Sequence, residues 1–154
     1  MSRDTVFTSL HGSRLGIGFA GHLVALQKQI TPPCADASIT VSAEGATTPN
    51  TRDITIQLKD VKGNDIDYQE IVDVFVLAAA NLNAIVGTGG STGIGIGTDG
   101  AILTTVAAKK HFIVASEADG DIDLEWLDTG TEVAFLGLRL PTGRIIFSDA
   151  LTNT

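Results

Sequence analysis

From about residue 37 to its last residue, the chain is a succession of short apolar segments interrupted every ten residues or so by Gly, Pro, Asn and Asp. That punctuation leaves no room for long helices and directs the chain to a β-sandwich or barrel. Ile54, Ile56 and Leu58 alternate with Thr55, Gln57 and Lys59, the period of a half-buried strand, and the run stops at the turn residues Lys62-Gly63-Asn64-Asp65. Residues 71–78 (IVDVFVLA) are apolar on both faces and β-branched, as a central strand covered on each side would be. Residues 101–106 and 110–115 read as two more strands. After the turn at Ala118-Asp119-Gly120, Ile122, Leu124 and Trp126 point one way and Asp121, Asp123 and Glu125 the other. Asp128-Thr129-Gly130 turns the chain again, residues 133–140 form a long apolar strand, and Pro141-Thr142-Gly143 makes a hairpin with residues 144–149. Seven or eight strands are expected in all.

Composition agrees. Hydrophobic residues make up 44% of the chain, enough for a core, while charged residues reach only 18%, too few for extended helical surfaces. The net charge of −8 leaves ten Lys and Arg, scattered along the sequence, so neither nucleic acid nor an anionic membrane surface is an expected partner. No apolar run approaches the length of a bilayer-spanning helix, and the first twenty residues hold no continuous apolar stretch, so no secretory signal is expected. Cys34 is the one cysteine. A single thiol makes neither an intrachain disulfide nor a thiolate cage, which points to synthesis in a reducing cytoplasm and to a small, partly buried structural residue.

Two segments do not fit a self-sufficient sandwich. Residues 1–36 contain short apolar pieces (Val6, Phe7 and Leu10; Leu15, Ile17 and Phe19; Leu23, Val24 and Leu26) broken by Gly12, Gly16, Gly18 and Gly21 and closed by Pro32-Pro33. Such a segment builds no core of its own, and in water it would expose many large apolar side chains. Either it folds back on its own sandwich as an extra hairpin, or it is an arm that pairs with neighbouring subunits. The sandwich domain then occupies residues 37–154. The second segment is residues 87–100 (GTGGSTGIGIGTDG), either a surface loop or a connection pinned against a partner, with a short helical turn over residues 81–86 just before it.

Motifs that suggest chemistry have simpler explanations. Gly95, Gly97 and Gly100 match G-x-G-x-x-G, but the dinucleotide fingerprint needs a helix after it and a strand follows here. Asp119, Asp121, Asp123 and Glu125 suggest a calcium loop, yet the required sixth-position Gly is Leu124 and the acids alternate with core residues, as the wet face of a strand does. His11, His22 and His111 come with no G-x-S-x-G elbow or comparable context. No catalytic residue, metal ligand or cofactor is expected, and the chain does not read as an enzyme.

Residues 54–66 (ITIQLKDVKGNDI) and 119–140 (DGDIDLEWLDTGTEVAFLGLRL) resemble the early and late strands of bacterial and phage immunoglobulin-like modules. Antibody-type domains differ in having a cysteine pair, and Glu132 stands here where a tyrosine-corner Tyr would be expected. Ser13-Arg14-Leu15-Gly16-Ile17 followed by Ala20-Gly21-His22-Leu23-Val24 resembles the start of tailed-bacteriophage head decoration (cement) proteins. The resemblance implies an immunoglobulin-like β-sandwich preceded by an extended N-terminal β arm. It also implies a homotrimer bound to the major capsid protein on the virion surface, made in the host cytoplasm. Phe7, Leu10, Arg14, Leu15, Ile17, Phe19 and Leu23 would then form the subunit and capsid interface. A host-surface or carbohydrate-binding module and a tail-tube or terminator component are the competing expectations. For the carbohydrate reading, Tyr68 and Trp126 are the aromatics available beyond Phe, and Trp126 lies on the inward face.

Overall fold

The computed structural model describes residues 32–46 and 48–154, and no helix occurs among them. Consequently no helix among the described residues is long and apolar enough to cross a membrane. The strands are β1 (Cys34–Val41), β2 (Thr51–Asp60), β3 (Ile71–Leu77), β4 (Gly93–Ile96), β5 (Ala101–Ala107), β6 (His111–Ala115), β7 (Asp121–Leu127), β8 (Phe135–Arg139) and β9 (Ile145–Ala150). They form two antiparallel sheets, one in the order β1-β2-β7-β4 and the other in the order β5-β6-β3-β8-β9.

The connectivity is immunoglobulin-like. Lettered by chain order, β1-β2-β7-β4 reproduces the A-B-E-D sheet and β3-β8-β9 the C-F-G sheet of a seven-stranded sandwich. The remaining two strands, β5 and β6, are a hairpin inserted between D and E. It crosses to the second sheet and extends it, with β6 antiparallel to β3.

Alternation sets the register. In β2 and β7, Ile54 faces Leu124 and Ile56 faces Ile122, so one residue of slip would put every one of these side chains in water. Ile54, Ile56, Leu58, Ile122, Leu124 and Trp126 from this sheet meet Val72, Val74, Val76, Leu136 and Leu138 from the other in a continuous core. Burying each large side chain contributes roughly 1.5–3 kcal/mol. The turns obey their local chemistry. The Asp60 carboxylate accepts hydrogen bonds from the Lys62 and Asn64 amides at 2.7 and 3.0 Å, closing the turn after β2. Gly143 N–H donates to Leu140 O at 2.8 Å in the β8–β9 hairpin.

Several boundaries differ from those expected. β1 starts at Cys34, and its thiol is fully buried rather than partly so. Burial, reinforced by the negative charge of Glu70, pushes its pKa up to about 11, which keeps it a packing group. Residues 81–86 form no helical turn. Val86 N–H donates to Val76 O and Ala78 N–H to Ala84 O, so the segment returns along β3 beyond the end of β6. β8 begins at Phe135 rather than at residue 133, because Val133 lies outside the ladder and is exposed.

Candidate functional site

Phe7, Leu10, Arg14, Leu15, Ile17, Phe19 and Leu23 lie outside the described residues, as do His11 and His22. What the described residues offer is a surface with two features that a self-contained sandwich would not need. The first is β5. Among the described residues it stands at the end of its sheet and is hydrogen-bonded on one side only, to β6. Its sequence AILTTVA holds no charge and no Pro, two of the usual protections of an edge strand, while it carries a third in its β-bulges. Register irregularities fall at Leu103 and Val106, and these two side chains are 53% and 55% exposed. The second feature is the end of the sandwich where β3 finishes. Leu77 pairs there with both Phe135 and Ile85, and Leu82, Ile85 and Val133 in the adjoining loops are all more than half exposed.

At the end where β3 begins, Asp65, Asp67, Asp99, Glu117 and Asp119 line an open cleft of about 790 Å³ with Gln57, Ile66 and Ala118. Burial, and then the neighbouring charges of Asp123, Asp99 and Asp119, push the Asp121 carboxyl above its usual range. Among the described residues no three His, Cys, Asp or Glu side chains converge as a metal ligand set. At the opposite end Lys109 and Lys110 occupy the β5–β6 turn.

The Gly-rich segment is neither a free loop nor a free ligand for a partner; it is fastened to its own domain. Glu132 accepts hydrogen bonds from Thr88 N, Thr88 Oγ1 and Gly90 N at 2.9, 2.6 and 2.7 Å. Asp128 accepts one from Ser91 N at 2.8 Å, and the Lys109 ammonium donates to Ser91 O at 2.6 Å. Burial alone would raise the Glu132 carboxyl, but the bonds from Thr88, Gly90 and Gly89 outweigh it and hold the group below its usual range. The segment then becomes β4, paired with β7. Two of its glycines are required by close approach combined with their backbone or neighbours. A Cβ at Gly90, where φ is +74°, would sit 2.8 Å from Trp126 Cη2, and one at Gly97 would sit 2.9 Å from Asp123 Cβ. The G-x-G-x-x-G match therefore joins strand to strand, with no helix N-terminus to receive a phosphate.

His111 belongs to a cluster on the outer face of the five-stranded sheet. Asp73 on β3 accepts from His111 Nε2 at 2.8 Å and is held on its other oxygen by the Arg139 guanidinium of β8. The imidazole stacks on Phe75 at 4.3 Å between ring centroids. The arrangement ties three strands together. Burial tends to raise the Asp73 carboxyl, but bonds from His111 and Arg139 and their charge outweigh it, so its pKa is lowered. A carboxylate with a depressed folded pKa contributes stability above its unfolded pKa and loses that contribution as pH falls through the folded value. Asp73→Asn is therefore expected to lower stability by about 1 kcal/mol at pH 7. The difference from the parent should shrink as pH drops below the ordinary carboxylate range, which urea midpoints measured from pH 7 to pH 2.5 would reveal.

The two aromatics other than Phe pack inward: Trp126 is fully buried and Tyr68 lies half-buried against the core. The class defined by these features is an all-β, immunoglobulin-like sandwich with an extra edge hairpin. No protein-family model and no curated protein sequence matches the chain. Among solved structures it is similar to two crystal structures of the human F-spondin reeler domain. Fragment 2 has a TM-score of 0.40 at 15% identity, covering 81% of this chain and 94% of that one. Fragment 1 has a TM-score of 0.39 at 12% identity, covering 80% and 89%.

Proposed function

We propose that the protein is a structural component of a tailed-phage virion that assembles as a trimer and decorates the capsid, stabilising it. The observation that carries the reading is the uncharged edge strand β5, with Leu103 and Val106 more than half exposed, together with the equally exposed Leu82, Ile85 and Val133 where β3 finishes. An exposed apolar edge of that kind is a liability in a monomer and an asset in an assembly. The apolar residues of the N-terminal 36 positions add a second demand for a partner. The fold is also suited to bearing load, since every strand of the sandwich is laterally hydrogen-bonded into one of two sheets. Shelter of several large side chains per copy, at roughly 1.5–3 kcal/mol each, repeated over a shell, would resist outward pressure from packaged DNA.

Sedimentation of the full chain tests the assembly, and binding to expanded shells made from the capsid protein encoded with it tests the decoration. A trimer that binds those shells and raises their disruption temperature is the expected result. A monomer that neither binds nor stabilises them would overturn the proposal.

A further inference from the structure

Two open sheets leave four edge strands, and among the described residues three of them are covered or protected. β1 and β9 pack beside each other, and Asp36 on β1 is ion-paired at 3.0 Å to Arg144, the residue before β9. β4 is only four residues long. Short strands and charged side chains are devices that keep an edge from recruiting a partner. β5 has neither: it is seven residues long, uncharged, and exposed at every position but Ile102.

We propose that β5 pairs antiparallel with β5 of a second copy, across a two-fold axis at Thr104. Such a contact lies beyond the trimer reading, because a two-fold axis cannot close a trimer; it joins copies that belong to neighbouring trimers.

The pairing with β6 locates the axis. β6 matches Ala101, Ile102, Thr104, Thr105 and Ala107 one to one and leaves Leu103 and Val106 as extra residues. Along that ladder Ala101, Thr104 and Ala107 share one face, and Ile102 and Thr105 share the other. Thr104 is the middle position. A two-fold axis through it sets Thr104 against its own copy, Ala101 against Ala107 and Ile102 against Thr105, so every pair lies on one face of the sheet. Main-chain hydrogen bonds then join two five-stranded sheets into one.

Charge selects both the direction and the occupant. Asp99 lies two residues before Ala101, and Glu117 Oε1 accepts from Gly100 N at 3.4 Å. Lys109 lies two residues after Ala107, with Lys110 next to it in the β5–β6 turn. The two ammoniums donate to Ser91 O and Gly87 O, each at 2.6 Å, and these acceptors carry no charge. The two-fold operation sets the acidic end of each β5 beside the basic end of the other, twice per joint. A parallel copy sets acid beside acid and lysine beside lysine. β5 is thus complementary to itself in one direction only.

Disulfide trapping in the concentrated full chain tests this, because the one native thiol, Cys34, is buried. Facing residues of an antiparallel pair lie about 4.5–5.5 Å apart between Cα atoms, within reach of a disulfide. Thr104→Cys should therefore give a cross-linked dimer on a non-reducing gel after mild oxidation. Ala101→Cys should give none, since the two copies of that residue stand on the order of 15 Å apart. Mixed with Ala107→Cys, it should give the mixed dimer. Equal cross-linking at positions 101 and 104 would overturn the antiparallel register. No dimer from Thr104→Cys would overturn the second copy as occupant and leave the edge to the N-terminal segment or to another protein. Adding Asp99→Lys to Thr104→Cys should cut the dimer yield about fivefold or more, with the near-ultraviolet signal of Trp126 unchanged. An undiminished yield would overturn the charge pairing. Shell binding without the Thr104→Cys dimer would remove this joint and leave the decoration reading, whereas the dimer without shell binding would do the reverse.

Discussion

Trp126→Ala is expected to lower unfolding stability by about 3–5 kcal/mol, a large share of what a domain of this size possesses. The indole is fully buried on β7, in the core between the two sheets. Removing it takes away the largest buried side chain and also the surface on which Gly90 rests, since no Cβ fits between them. Trp126→Phe should cost much less, about 1–2 kcal/mol. Phe loses part of the volume, but Trp126 Nε1 is buried without a hydrogen-bond partner among the described residues, and Phe removes that orphan donor. Gly90→Ala supplies the cross-check. Alone it is destabilising, because its methyl meets the ring and φ is +74°. Combined with Trp126→Ala most of the steric part of its cost should go, leaving the 3.2 Å approach to the Leu127 carbonyl and the backbone part, so the two changes should be non-additive. Urea unfolding followed by far-ultraviolet circular dichroism measures the four variants against the parent. Simple additivity would show that the ring and the Gly-rich segment do not bear on each other.

How much of this was legible depends on whether the cause was local. β2, β3 and β7 announce themselves, because burial against one face or both imposes a pattern on consecutive residues. β1 does not. Its sequence CADASITV begins with small residues, and it follows Pro32-Pro33, which reads as the end of something else. β4 is harder still. GIGI looks like a linker, and Gly93 is there because its φ of +97° and the nearby Gly89 carbonyl and Lys109 side chain leave little room for a Cβ. Residues 101–106 are legible as a strand, but that β5 is an edge is a property of the strand order, set by pairings across the whole chain. The same holds for Glu132 and Asp128. Their roles as fasteners depend on partners 44 and 37 residues away, and no spacing rule covers such distances. The interface residues expected in the N-terminal segment, by contrast, rest on the resemblance and on the apolar pieces of that segment, and they lie outside the described residues.

The second large effect concerns that fastening. Asp128 is 3% exposed, and its carboxylate accepts from Ser91 N and Gly130 N through Oδ1 at 2.8 and 3.1 Å and from Glu132 N through Oδ2 at 3.3 Å. It thereby joins the Gly-rich segment to the β7–β8 turn that positions Glu132. Asp128→Ala strips three amides of their acceptor at once, and the expected loss is about 2–3 kcal/mol, because only part of the cost is recovered from water when the segment lifts. Asp128→Asn keeps an oxygen for two of the three and should lose about 1 kcal/mol. Stability alone would not separate this from a general weakening, so amide exchange supplies the second reading. In Asp128→Ala the amides of Ser91 and Gly90 should exchange far faster than those of Val74 and Leu138 in the core, as a locally opened segment does. Uniform acceleration across all four would instead mean that Asp128 stabilises the whole sandwich and that the segment is held by Glu132 and the lysines without it.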